Sequence, residues 1–93
     1  MDIYNNFNLM IDYIEDNLTE NIDLDKLAKI VGVNKYTLQR FFALMWGMSI
    51  NEYIRKRRLT LAGRDLVEQN LKVIDVALKY GYDSAAAFSR AFF

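Results

Sequence analysis

Ala28-Lys29-Ile30-Val31-Gly32-Val33-Asn34-Lys35-Tyr36-Thr37-Leu38-Gln39-Arg40-Phe41 reads as the end of one helix, a turn and the start of another. Gly32 takes a left-handed conformation at least cost, so it ends the first helix. Asn34 is a good N-cap for the second. Leu38 and Phe41 are the apolar positions expected to fold the second helix back onto the first. The layout recurs downstream. Ala77 precedes Gly81 by four residues, as Ala28 precedes Gly32, and Phe88 and Phe92 follow as the returning apolar positions. A small alanine lets two helices cross closely, and the glycine makes the turn between them. One such match is an ordinary helical hairpin. Two in 93 residues, separated by one long helix, specify a pair of helix-turn-helix units.

The remaining helices follow from spacing and punctuation. Ile3, Phe7, Met10, Ile11 and Ile14 recur at three- and four-residue steps, which predicts a helix over about Tyr4 to Asn17. Asp23 caps a second, Leu24 to Val31, with Leu24, Leu27, Ala28 and Val31 inward. The third runs from Lys35 to about Trp46, and Gly47 stops it. Ser49-Ile50-Asn51-Glu52 fits a capping box and opens a fourth that runs to about Glu68. Its expected buried positions are Tyr53, Ile54, Leu59, Ala62, Leu66 and Val67. Val73 to Tyr80 form a fifth helix, with Val73, Val76, Ala77 and Tyr80 inward, and Asp83 or Ser84 caps a sixth. The expected fold is therefore all-α. Residues 1–48 form a first unit with its second helix over about 35–46, residues 49–69 a linker helix, and residues 70–93 a second unit with its last helix over about 84–93. A linker of twenty residues, Ser49 to Glu68, is about 30 Å long at 1.5 Å per residue.

Composition narrows the function classes. There is no cysteine, which removes disulfides and thiol chemistry, and no histidine, which removes the usual general base and metal ligand. No paired carboxylates stand in an evident pocket, so no catalytic constellation is read and no cofactor is expected. No apolar run approaches the roughly 18 residues of a membrane span, and Met1-Asp2-Ile3-Tyr4 does not open a signal peptide. A cytoplasmic protein without membrane contact is the expectation. The formal net charge is zero, but it is unevenly spread. Residues 1–33 carry seven acids against two bases, and residues 34–66 carry seven bases against two acids. A basic middle can recruit a polyanion although the whole chain is neutral.

The third helix adds the chemistry that reads one. Tyr36, Thr37, Gln39 and Arg40 lie outward or near its amino end. Glutamine and arginine suit the edges of adenine and guanine in a major groove. Recognition helices present their amino-terminal residues to bases. Either residue alone would be plain helix surface. Set in a helix-turn-helix beside the basic run Arg55 to Arg58, they point to double-stranded DNA. Successive major-groove faces on one side of DNA lie about 34 Å apart, close to the linker length.

These features together resemble the DNA-binding domain of the AraC/XylS family of bacterial transcription regulators. The carrying residues are Leu24-x-x-Leu27-Ala28, Leu38-Gln39-Arg40-Phe41-Phe42, Gly47 with Ser49 and Tyr53-Ile54, and Arg58-Leu59-x-x-Ala62. They continue through Val76-Ala77-x-x-x-Gly81-Tyr82-Asp83-Ser84 and Phe88-Ser89-Arg90-Ala91-Phe92. The resemblance implies two helix-turn-helix units joined by a long helix, sequence-specific DNA binding, and transcriptional regulation, most often activation. It places Tyr36, Thr37, Gln39 and Arg40 in the groove. Asn34, Lys35 and Arg55 fall near the DNA backbone, and Ser84, Ala85, Ala86, Ser89 and Arg90 at groove- or backbone-facing positions of the second unit. Arg58 matches a family arginine that is either a DNA contact or a structural one, paired with an acid such as Asp65.

Three departures from the family stand out. Ala85-Ala86-Ala87 opens the last helix where relatives often carry polar side chains, so the second unit is expected to contribute backbone contacts and little base discrimination. Phe93 stands where relatives usually have a cation, so one phosphate contact is expected to be absent. The family's last short helix would follow Phe93, and Phe92-Phe93 is left as aromatic surface. The expectation is thus a reading head from a larger regulator, with any effector domain outside this segment. The competing reading is a helical protein-interaction module whose acidic first helix docks a partner such as RNA polymerase or a sensor domain.

Overall fold

Five of the six helices begin where a short polar side chain folds back onto the backbone. In the computed structural model, which describes residues 2–92, the helices are α1 (Ile3–Asp16), α2 (Leu24–Val31), α3 (Lys35–Trp46), α4 (Ile50–Glu68), α5 (Val73–Lys79) and α6 (Ala85–Phe92). Asp2 accepts from the N–H of Tyr4 at 3.0 Å and Asp23 from Asp25 at 2.9 Å. Asn34 accepts from Thr37 at 2.8 Å, Ser49 from Glu52 at 3.1 Å, and Ser84 from Ala87 at 3.1 Å. Each bond satisfies one of the donors that a helix start leaves without a partner. Only the serine half of the expected capping box forms a bond of this kind. The Glu52 carboxylate lies 3.5 Å from Lys56 Nζ, one turn along α4.

The two turns are built alike. Gly32 has φ +89° and Gly81 φ +87°, the left-handed region where a side chain is strained. Past each glycine the chain closes onto the alanine five residues back. Val33 N–H donates to Ala28 O at 3.2 Å, and Tyr82 N–H donates to Ala77 O at 2.9 Å. Both alanines are buried. The repeated alanine thus serves as both the close-crossing point and the acceptor that ends the helix.

Two cores result. The first gathers Phe7, Met10 and Ile14 of α1, Leu27, Ala28 and Val31 of α2, Leu38 and Phe42 of α3, and Ile50 and Ile54 of α4. Phe42 stacks on Trp46 with ring centroids 4.4 Å apart and meets Tyr53 edge-on at 5.6 Å. The second is smaller: Ala62, Val76, Ala77, Tyr80 and Phe88. Phe41, Val67 and Val73 depart from expectation, being 40%, 83% and 45% exposed. On α3 the buried line is Leu38, Phe42 and Trp46, at four-residue steps, which turns Phe41 about 100° away. Val67 lies in the last turn of α4, beyond the second core, and Val73 is the first residue of α5. Phe92 is not left bare. Its ring packs on Phe88 at 5.4 Å, and a Cβ added to Gly63 would come within 3.1 Å of it. Phe93 lies outside the described residues.

The helix α4 carries both units. Its 19 residues span about 28 Å. The radius of gyration is 14.7 Å, against about 12 Å for a compact domain of this length, and the extents are 44 × 21 × 20 Å. Polar ties fix α4 to each unit. Arg57 grips the Glu15 carboxylate of α1 through Nε and Nη2, the latter at 2.7 Å. Arg58 donates to the carbonyls of Leu18 at 2.8 Å and Glu20 at 2.7 Å. The suggested pairing of Arg58 with Asp65 does not form. The guanidinium is drawn to carbonyls just past the C-terminus of α1, while Asp65 faces the second core. There the Asp65 carboxylate accepts from Lys79 Nζ at 2.8 Å and Tyr80 OH at 2.8 Å. The Lys79 ammonium, and then Tyr80, hold the Asp65 carboxyl below the usual carboxylate range.

Candidate nucleic-acid interface

The α3 helix presents one face to solvent and one to the first core. Tyr36 is 78% exposed, and Gln39 and Arg40 are exposed beside it. At 100° per residue, positions 36, 39, 40 and 43 share one side of the helix. Ala43, exposed on that face, was not singled out by sequence. The three- and four-residue spacing from Tyr36, Gln39 and Arg40 was the available signal. Neither Gln39 nor Arg40 has an internal hydrogen bond or ion pair among the described residues, so their donors are available to a ligand. Thr37 is half-buried, and its N–H is taken by the Asn34 carboxamide. Asn34 is therefore first a cap, with its Oδ1 committed to the backbone. Lys35 is exposed and lies 3.7 Å from Asp25, a solvated pair of little energetic weight.

The basic run divides by role. Arg57 and Arg58 are committed to α1 and its following turn. Lys56 lies against Glu52. Arg55 is exposed and makes no ion pair among the described residues. It lines a cleft of about 360 Å³ with Asn21, Asn51, Arg58, Gly81 and Tyr82, at the waist between the units. The polar residues Asn21, Asn51 and Tyr82 in this lining were not among the candidate site residues read from sequence. Asn51 stands one turn before Arg55 on α4, which was a usable clue.

Known proteins share this frame. The family described as helix-turn-helix domain matches residues 27–93. The HTH-type transcriptional activator AarP of Providencia stuartii is 46% identical over 80 residues, which is 86% of this chain and 59% of AarP. The probable transcription factor PqrA of Proteus vulgaris is 39% identical over 87 residues, covering 91% of this chain and 71% of PqrA. A crystal structure of a transcriptional regulator with an AraC-type DNA-binding domain, from Chromobacterium violaceum, superposes with a TM-score of 0.82. It is 26% identical and covers 89% of this chain and 74% of that one.

The chain belongs to the AraC family. It spans 59% of the length of AarP.

In the second unit of this AraC-family chain the polar inventory is thin. Ser84 is half-buried, with its Oγ accepting from Ala87 N–H. Ala85 and Ser89 are half-buried, Ala86 is exposed, and Arg90 is exposed without an ion pair among the described residues. Arg90 is thus the one long polar side chain on α6, and Ala86 offers only a methyl. The AraC-type frame holds the α6 surface in place through Phe88, whose ring is fully buried against Tyr82 and Phe92. Among the described residues no group of three acidic, histidine or cysteine side chains is placed to hold a metal ion, and no helix is long and apolar enough to cross a membrane.

Proposed function

We propose that this AraC-family domain binds double-stranded DNA sequence-specifically and regulates transcription, in the activating sense. The observation that carries the reading is the unpaired Tyr36, Gln39 and Arg40 surface of α3, standing on the larger of the two cores, with Arg55 unpaired on α4. Gln39 and Arg40 read base edges in a major groove. Lys35, Asn34 and Arg55 set the register on phosphates, with Thr37 supporting the start of α3. The second unit positions the chain through Ser84, Ser89 and Arg90, while Ala85 and Ala86 discriminate little. Asp12 and Asp16, exposed on α1, are available for contact with RNA polymerase. No catalytic role is assigned, and a cytoplasmic location follows from chromosomal DNA as the partner.

The test is fluorescence anisotropy with a duplex selected from a random pool and with a shuffled duplex, over a series of salt concentrations. Specific binding at least about 10³-fold tighter than shuffled is expected. Equal affinity for both duplexes would leave only non-specific attraction. Arg55→Ala is expected to weaken binding to every duplex alike and to flatten the slope of log Kd against log salt by about one unit. An unchanged slope would remove Arg55 from the phosphate contacts.

A further inference from the structure

The waist cleft that Arg55 lines is built from both units. Asn51 and Arg55 enter it from the first two turns of α4, Asn21 from the turn before α2, and Gly81 and Tyr82 from the turn before α6. Its volume is about 360 Å³, and no acidic side chain lines it in a chain that has twelve. The donors in the lining are idle. Among the described residues the side chains of Asn21, Asn51 and Arg55 make no hydrogen bond or ion pair, and the Tyr82 hydroxyl makes none. Arg58 spends Nε on the Leu18 carbonyl and Nη2 on that of Glu20, which leaves Nη1. Uncommitted N–H and O–H donors with two guanidinium groups and no carboxylate suit an anion with several acceptor oxygens.

We infer that this cleft seats a phosphate of the DNA strand that runs between the two groove segments, with Asn51 and Tyr82 as neutral donors beside Arg55. The inference rests on the proposed function and adds two residues to it. Position is the first argument for a phosphodiester. Asn51 stands one turn before Arg55 on α4, and Tyr82 stands two residues before Ser84, the cap of α6. The cleft therefore lies between the phosphate contacts proposed for the first unit and those proposed for the second, and a strand held by both runs past it. Chemistry is the second argument. Arginine, asparagine and tyrosine side chains are ordinary phosphate contacts. Small-molecule pockets are instead lined mainly by apolar and aromatic side chains with few polar groups. Asn51 belongs to the start of α4 and Tyr82 to the second unit, so one phosphate held by both fixes the register of one head against the other.

Tyr82→Phe removes one hydroxyl and keeps the ring, which meets Phe88 edge-on at 5.4 Å, so the second core stays packed. Asn51→Ala changes an exposed side chain. Each is expected to weaken binding to the preferred duplex about 3- to 10-fold, with unchanged helix content. Neither residue is charged, so the slope of log Kd against log salt should stay that of the parent, unlike the flattening expected of Arg55→Ala. Replacing one phosphate at a time with an uncharged methylphosphonate locates the contact. At one position between the two groove segments the parent should lose affinity, and there Tyr82→Phe and Asn51→Ala should add no further loss. Parent-like affinity of either variant would overturn the inference. So would a loss that adds in full at every phosphate, or one that couples only to phosphates beside α3 or α6. All of these leave selection of the preferred over the shuffled duplex intact, which separates them from failure of the proposed function. A chain that does not select between the two duplexes overturns both.

Discussion

Arg40→Ala is expected to lower affinity for the preferred duplex by about 1–3 kcal/mol, or roughly 5- to 150-fold, and to relax selectivity at one base pair. The side chain is exposed and makes no internal ion pair among the described residues, so its removal leaves no buried group stranded and the fold intact. The loss is therefore a binding loss. Single-base substitutions across the duplex locate it. The parent chain should penalise the change at one position, and Arg40→Ala should not. A loss of equal size on every sequence would mean that Arg40 touches only the backbone. Gln39→Ala should give the same pattern at a neighbouring base pair, because Gln39 shares the α3 face.

Asp65→Ala is expected to cost about 2–3 kcal/mol and to loosen the second unit selectively. Tyr80 is buried, and its hydroxyl would lose its acceptor, which carries most of the penalty. The share lost with Lys79 is smaller, because that ammonium is nearly half in water. Asp65→Asn keeps an acceptor for Tyr80 and should recover part of the loss. The pH dependence follows from the direction of the shift. Asp65 titrates lower when folded than when unfolded. Its contribution is thus complete above the ordinary carboxylate range, near pH 4, and fades as pH falls through the lower folded value. Melting curves should show the parent chain and Asp65→Asn furthest apart near neutral pH and converging in strong acid. A constant gap at all pH values would remove the carboxylate from the lock.

The fold was legible because its signals are local. Glycines at Gly32 and Gly81, caps at Asp23, Asn34 and Ser49, and the repeated alanines each act within about one helical turn, so spacing alone places them. Tertiary choices were harder to read. Phe41 and Phe42 are adjacent and chemically identical, and only the packing of α3 against Trp46 and Tyr53 decides that Phe42 is the core ring. The run Arg55 to Arg58 looks uniform in sequence. Its members part because Glu15 and the carbonyls of Leu18 and Glu20, some 40 residues away in the chain, arrive beside two of them. The donors to Asp65 differ from the suggested Arg58 for the same reason: α5 and the residue after it bring Lys79 and Tyr80 to it. The exposure of Tyr36, Gln39 and Arg40 on α3 was legible because position on a short helix is a local property.

The inequality of the two cores also sets an order of failure. Eleven buried residues hold the first and five the second, and the five rely on one carboxylate for their polar anchor. The smaller half is expected to open first under heat or acid, so limited proteolysis should cut among α5 and α6 before it cuts in α3. Which half lets go first is in this way set by how much apolar surface each has under cover.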